Sequence, residues 1–192
     1  DSSENPQRLL PDTWVLTTRI LRRWSRDPAT VVESLIIPVA LLATHNLVLG
    51  DGISQVTGHS ALYGSVPLVA MVAALSGATV GGIGVMRERT DGLLSRLWVL
   101  PVHRASGVLS RLAADAVRIV LSTAVIMCAG LVLGFRFRQG VLESVAWLFI
   151  PTVFGVAFSV AAFTLALYTA KTIVVEATAV IWGLLMFFST GF

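Results

Sequence analysis

Residues 87–118 read RERTDGLLSRLWVLPVHRASGVLSRLAADAVR, and they divide the chain in two. On either side lie apolar runs longer than the roughly 18 residues that mark a membrane-spanning helix. The interval itself is polar and carries Arg87, Arg89, Arg96, Arg104, Arg111 and Arg118. Within it, Leu93, Leu94, Leu97 and Trp98 fall at helical spacing on one side, with Asp91, Ser95 and Arg96 elsewhere. Pro101 closes that segment, because proline cannot continue a helix without losing a hydrogen bond. A charged loop with an apolar helical stripe, held against a membrane, is suited to docking another protein.

Composition agrees with a membrane setting. The chain is 55% apolar and 13% charged, with a mean hydropathy of +0.82. A soluble domain carries about 25% charged residues. The apolar runs are continuous rather than alternating, which points to helices and away from a closed barrel. The sequence predicts an all-α polytopic membrane protein with five spans, at about 29–49, 60–86, 112–133, 141–168 and 172–192. A sixth span, missing from the fragment, is expected beyond them. Pro38, Pro67 and Pro151 fall inside spans and are expected to kink or interrupt them. Gly77 and Gly81 in the second span, and Gly130 and Gly134 in the third, are four apart and allow helices to approach closely. Asp115 and Arg118 are three apart and can pair on one helix face.

Residues 1–10 are polar and read as a flexible segment. Residues 11–27 read as an amphipathic helix. Arg19, Arg22, Arg23 and Arg26 share one face, and Trp14, Ile20, Leu21 and Trp24 lie opposite. That is the pattern of a helix lying in the membrane interface. A solvated charged face with core packing behind it is the alternative. Five basic residues precede the first span, six lie between Arg87 and Arg118, and Lys171 lies in the turn before the fifth span, against only Arg136 and Arg138 on the other side. The bias places the N-terminus and loop 87–111 in the cytoplasm of a plasma-membrane protein. The same clustering reads as orientation rather than as a nucleic-acid footprint.

Little in the sequence points to catalysis. Gly81-Gly82-Ile83-Gly84 is followed by Val85-Met86, not by the lysine and hydroxyl that a phosphate-binding loop requires. His45, His59 and His103 stand apart from any carboxylate or cysteine at ligand spacing, so no metal is expected. Two acids fall inside spans. Glu33 lies one turn into the first and Glu176 one turn into the fifth. An intramembrane charge is costly and points to function. A shallow position that reaches the headgroups, or pairing with Arg111, Arg118 or Lys171, is the other reading.

The central interval resembles the cytoplasmic loop of ABC-2-type exporter permeases. The resemblance rests on Arg87-Glu88-Arg89, Gly92, the short helix 93–100, Pro101 and Arg104. The family has threonine and then glutamate after the glycine, where this chain has Leu93 and Ser95. Residues 96–104 are closest to the daunorubicin-resistance branch. Residues 132–140, 166–170 and 187–191 are similar to permeases that export phthiocerol dimycocerosate lipids in mycobacteria.

The resemblance implies a non-catalytic permease subunit without a cofactor of its own. ATP and Mg would sit on two partner ATPase subunits, and a second ABC-2 permease, a homologous but distinct chain, would complete the pathway. Leu93, Leu94, Leu97 and Trp98 would fill a groove on the ATPase, with Arg87, Glu88, Arg96 and Arg104 fixing the orientation. Burying those apolar side chains contributes several kcal/mol at about 25 cal/mol per Å². The substrate would be a lipid or amphipathic drug-like molecule moved outward. A proton-coupled carrier using Glu33 and Glu176 without an ATPase is the competing expectation.

Overall fold

The computed structural model describes residues 9–57, 60–90, 104–135, 141–168 and 172–190. Helix α1 spans Leu9–Arg26 and stops at Asp27. Asp27 is the N-cap of α2 (Pro28–Val31). One carboxylate oxygen accepts from the Ala29 N–H at 3.2 Å and the other from the Thr30 hydroxyl at 2.6 Å. Pro28 sits at the helix start, where a missing N–H costs nothing.

A π-helical turn, Val32–Ile36, joins α2 to α3 (Ile37–Thr57). Its widened ladder shows in the bond from the Ile37 N–H back to the Val32 carbonyl. Pro38 explains its place. That residue has no N–H to donate, and its ring collides with the carbonyl four residues earlier in a regular helix. The expected disturbance at Pro38 is thus a π turn just before it.

The remaining helices are α4 (Leu62–Thr90), α5 (Arg104–Val132), α6 (Val141–Tyr168) and α7 (Thr172–Thr190). No strand occurs among the described residues. Among the described residues, four helical stretches are long and apolar enough to cross a membrane: Pro28–Val48, Leu62–Arg87, Ser106–Val132 and Ala146–Tyr168. Helix α7 carries a shorter apolar stretch, Glu176–Leu185. Pro67 and Pro151 interrupt nothing, since α4 and α6 run through them.

Helix α4 is the axis of the bundle and touches α3, α5, α6 and α7. Its buried side chains include many small ones, among them Ala70, Ala73, Ala74, Ala78 and Ser65, interleaved with Leu62, Val66, Leu68 and Leu75. Small residues let helix backbones approach where lipid offers no hydrophobic driving force. Many large apolar side chains of the bundle point outward, among them Leu47, Phe149, Val153 and Trp182. Helix α1 lies along the first turns of α5. The Thr17 hydroxyl is buried there, bonded to the Thr13 carbonyl at 2.7 Å and 3.3 Å from that of Ser110. This packing extends α5 back to Arg104, two turns before the expected span start.

Gly134 differs from its expected packing role. A Cβ there would meet nothing within 4 Å, and its φ is +102°. Its N–H bonds to the Leu131 carbonyl at 3.2 Å, and the Phe135 N–H bonds to that of Gly130 at 2.8 Å. These two bonds make a Schellman cap that ends α5. They return buried Phe135 to the bundle, where its ring lies 5.3 Å from that of Tyr63.

Candidate functional site

The site is built where α4 meets α5. Asp115 and Arg118 face α4 from one turn of α5, and both are buried, at 3% and 8% exposure. Arg118 Nη2 lies 2.9 Å from Asp115 Oδ1 and donates to the Gly77 carbonyl at 2.7 Å. A helical carbonyl has a second lone pair, so this bond adds to the helix ladder without breaking it. Gly81 lies against Asp115, and any Cβ there would overlap the carboxylate. Gly77 faces Ile119, whose Cγ1 would stand 3.8 Å from a Cβ. The two glycines therefore leave room for a charged clamp between the helices.

Two further glycines hold the same junction. At Gly130 a Cβ would lie 2.9 Å from Val66 Cγ2. At Gly155 on α6 it would lie 2.6 Å from Ile119 Cδ1 and 3.0 Å from Ala74 Cβ, where α4, α5 and α6 meet. The sequence reading does not single out Gly155. A signal for it exists, because Ser159 lies four residues later and is fully buried on the same face.

Beside the clamp lies a cavity of about 430 Å³. Arg23 and Trp24 of α1, Glu33 of the π turn, Arg87 of α4, and Arg111 with the Asp115–Arg118 pair of α5 line it. Asp27 stands at its edge. There the Thr30 hydroxyl holds the carboxyl below its ordinary range.

The outer side of α1 forms an open groove of about 970 Å³ with Arg19, Arg22, Arg23 and Arg26 along it. Trp14 lies on this groove and is 74% exposed, not opposite the arginines as the sequence suggested. The difference is angular. Trp14 precedes Thr18, Arg22 and Arg26 at four-residue steps, so it continues their stripe, while Thr17, Ile20 and Trp24 turn inward.

Glu33 and Glu176 are both exposed and line one cleft of about 410 Å³, walled by Leu75, Thr79 and Ile83 of α4. His45 joins α3 to α4 through a 2.8 Å hydrogen bond between its Nδ1 and the Ser65 hydroxyl. Among the expected docking residues, Arg87 is exposed near the end of α4, with Glu88 in the same last turn, and Arg104 opens α5. Gly92, Leu93, Leu94, Arg96, Leu97, Trp98 and Pro101 lie outside the described residues. No cluster of metal-binding side chains occurs among the described residues.

Comparison with known proteins adds a family. Residues 11–192 match the family model described as ABC-2 type transporter. Two proteins of Mycobacterium tuberculosis, from strains CDC 1551 / Oshkosh and ATCC 25618 / H37Rv, each carry the name "Probable doxorubicin resistance ABC transporter permease protein DrrC". Each is 47% identical over 190 residues, covering 98% of this chain and 69% of the relative. No solved structure matches.

Proposed function

The chain belongs to the ABC-2 type transporter family as a permease of its daunorubicin-resistance branch, and from that premise we propose that it forms one half of an ATP-driven exporter for a lipid or amphipathic drug-like molecule. Two ATPase subunits would supply the energy, and a second permease, a distinct homologue, would complete the path. ATP and Mg belong to the ATPases. The N-terminus and the loop between α4 and α5 would face the cytoplasm, as the positive bias requires.

The observation that carries this reading is the clamp between the two helices that flank the loop. Arg118 ties α5 to the Gly77 carbonyl of α4, and Asp115 packs on Gly81. A push on residues 91–103 would then move α4 and α5 as one body. Because α4 touches α3, α6 and α7, the displacement would reach every other span. Leu93, Leu94, Leu97 and Trp98 would receive the push in the ATPase groove, oriented by Arg87, Glu88, Arg96 and Arg104 with Gly92 and Pro101 bounding the helix.

The relatives' name speaks of doxorubicin resistance, and the resemblance in residues 132–140, 166–170 and 187–191 favours a phthiocerol dimycocerosate-type lipid. The outward-facing apolar walls suit either. Purification through a tag on the full-length protein tests the docking reading. An ATPase subunit is expected to accompany the wild type and to be lost from Leu97→Asp and Trp98→Ala. Retention of the ATPase by both variants rejects it. ATP-driven uptake into inverted vesicles, compared for doxorubicin and for the lipid, decides the substrate.

The shared cleft of Glu33 and Glu176 gives the proton-coupled carrier a physical basis. In the exporter reading, replacing both with glutamine spares ATP-driven transport. In the carrier reading the same change abolishes transport.

A further inference from the structure

Helix α1 turns a basic face away from the bundle. Arg19, Arg22, Arg23 and Arg26 line the groove on its outer side, and all four are exposed. They stand three and four residues apart, a spacing at which like charges destabilise a helix. The fold does little to offset this. Arg19, Arg22 and Arg26 make no hydrogen bond or ion pair among the described residues. Arg23 has Asp27 nearby, but that carboxylate accepts from the Ala29 N–H and the Thr30 hydroxyl. Asp12 is the one acid within α1, and it lies about 10 Å before Arg19 along the axis. The arginines therefore call for an anion from outside the bundle.

The surroundings identify that anion. Arg26 is two residues from Pro28, where the first apolar stretch begins, so the basic end of α1 lies at headgroup depth. The other end of the same face is apolar. Exposed Leu10 and Trp14 continue the line of Arg22 and Arg26 at four-residue steps, and exposed Val15 adjoins them. A lipid leaflet accommodates both ends. Headgroup phosphates accept from the guanidinium forks, and the layer just beneath takes a tryptophan and aliphatic side chains. A helix that only rests in the interface needs no particular lipid. Arginines without a partner in the fold make this one selective for negative charge, by about fivefold for each arginine near an anionic surface.

We propose that the outer face of α1 binds the headgroups of anionic phospholipids in the surrounding leaflet, through Arg19, Arg22, Arg23 and Arg26, with Trp14 seated in the same lipid layer. The face reads charge and not headgroup shape, so phosphatidylglycerol and phosphatidylserine serve alike. Helix α1 packs along the first turns of α5, where the Thr17 hydroxyl approaches the Ser110 carbonyl, so lipid held on its outside steadies the start of α5. The inference stands apart from the transport reading, because it requires neither an ATPase nor a particular cargo.

The test uses the full-length protein in phosphatidylcholine nanodiscs with increasing phosphatidylglycerol, and native mass spectrometry counts the lipid that stays bound. Phosphatidylglycerol is expected to be held in preference to phosphatidylcholine, and phosphatidylserine equally well. Arg19→Gln, Arg22→Gln and Arg26→Gln combined should weaken that binding by about twentyfold, for a headgroup that bridges two arginines. The same three positions changed to lysine should keep most of it, which separates charge from a structural role. Salt at about 1 M, where screening acts within about 3 Å, should weaken the wild type. Trp14 gives an independent readout that needs no arginine variant. The fluorescence missing from Trp14→Phe is the Trp14 signal, and phosphatidylglycerol brominated on its acyl chains should quench it more than brominated phosphatidylcholine at the same mole fraction. Equal retention of the two lipids by the wild type, or undiminished phosphatidylglycerol binding by the glutamine variant, overturns the site. Equal quenching by the two brominated lipids overturns the selectivity, and no quenching by either overturns the placement of this face in lipid. A glutamine variant that keeps phosphatidylglycerol but loses a co-purifying ATPase subunit would show that the face docks protein, and the lipid reading would fall.

Discussion

Replacing Arg118 with methionine tests the clamp most directly. The substitution removes the partner 2.9 Å from Asp115 and the donor 2.7 Å from the Gly77 carbonyl. It leaves a carboxylate with 5% side-chain exposure beside α4. Breaking a buried pair by removing one partner costs about 3–5 kcal/mol, because the other charge remains uncompensated. Arg111 lines the same cavity and offsets part of that charge, so the lower end is expected. Asp115→Leu combined with Arg118→Met removes both charges. The remaining loss is the bond to Gly77, worth about 0.6–1.7 kcal/mol between membrane helices. A chain of this size shifts its melting temperature by about 2–4 °C per kcal/mol. The single variant should therefore melt about 6–12 °C below wild type in detergent, and the double variant only about 1–7 °C below. Tryptophan fluorescence during heating reads both. A single variant within about 2 °C of wild type, or a double variant as unstable as the single, would refute the clamp.

Three other outcomes are expected from the packing. Gly134→Ala should destabilise by about 1–2 kcal/mol through backbone strain alone, since the site is open but φ is +102°. Thermal melting checks it, and Gly134→Asn should lose less. Gly155→Ala should cost more than Gly130→Ala, within about 1–3 kcal/mol for overpacking. Its Cβ meets the unyielding Ala74 Cβ as well as Ile119, whereas Gly130 meets only a single methyl of Val66 at close range. Val66→Ala should restore Gly130→Ala. The cap at Asp27 should persist below the ordinary carboxylate range, because its folded pKa is lowered. Its contribution is present above the unfolded value of 3.8 and fades as pH falls through the lower folded one. Hydrogen exchange at the Ala29 amide reads this, and Asp27→Asn should remove the pH dependence.

Much of the bundle is legible in sequence because run length alone identifies a spanning helix. Direction is harder to read. Trp14 and Trp24 look alike as aromatic anchors, yet ten residues of helix rotate them onto different sides, and only contact with α5 decides which is inside. Gly130 and Gly134 share a spacing, but one meets Val66 and the other ends the helix. Phe135 makes the difference: it must fold back to reach Tyr63, and a left-handed residue just before it permits the reversal. Asp115 and Arg118 could be paired from their spacing. The bond to the Gly77 carbonyl joins residues 41 apart and depends on the approach of two helices, which no local pattern encodes.

The place of α4 links the packing of the bundle to the movement it would carry. A helix that is apolar on all sides belongs at the centre of a bundle, and α4 is buried around its circumference. It also carries one end of the loop at residues 91–103. Its 29 residues span about 43 Å at 1.5 Å each, enough to cross the membrane and extend beyond it. The sole proline, Pro67, lies near the end remote from the loop, so residues 68–90 form an uninterrupted rod. A bend near Gly77 or Gly81 would have to break the contacts with Arg118 and Asp115. The clamp therefore stiffens α4 where its glycines would otherwise weaken it. Displacement at the loop must travel as a rigid movement of the central helix, or the clamp must open first.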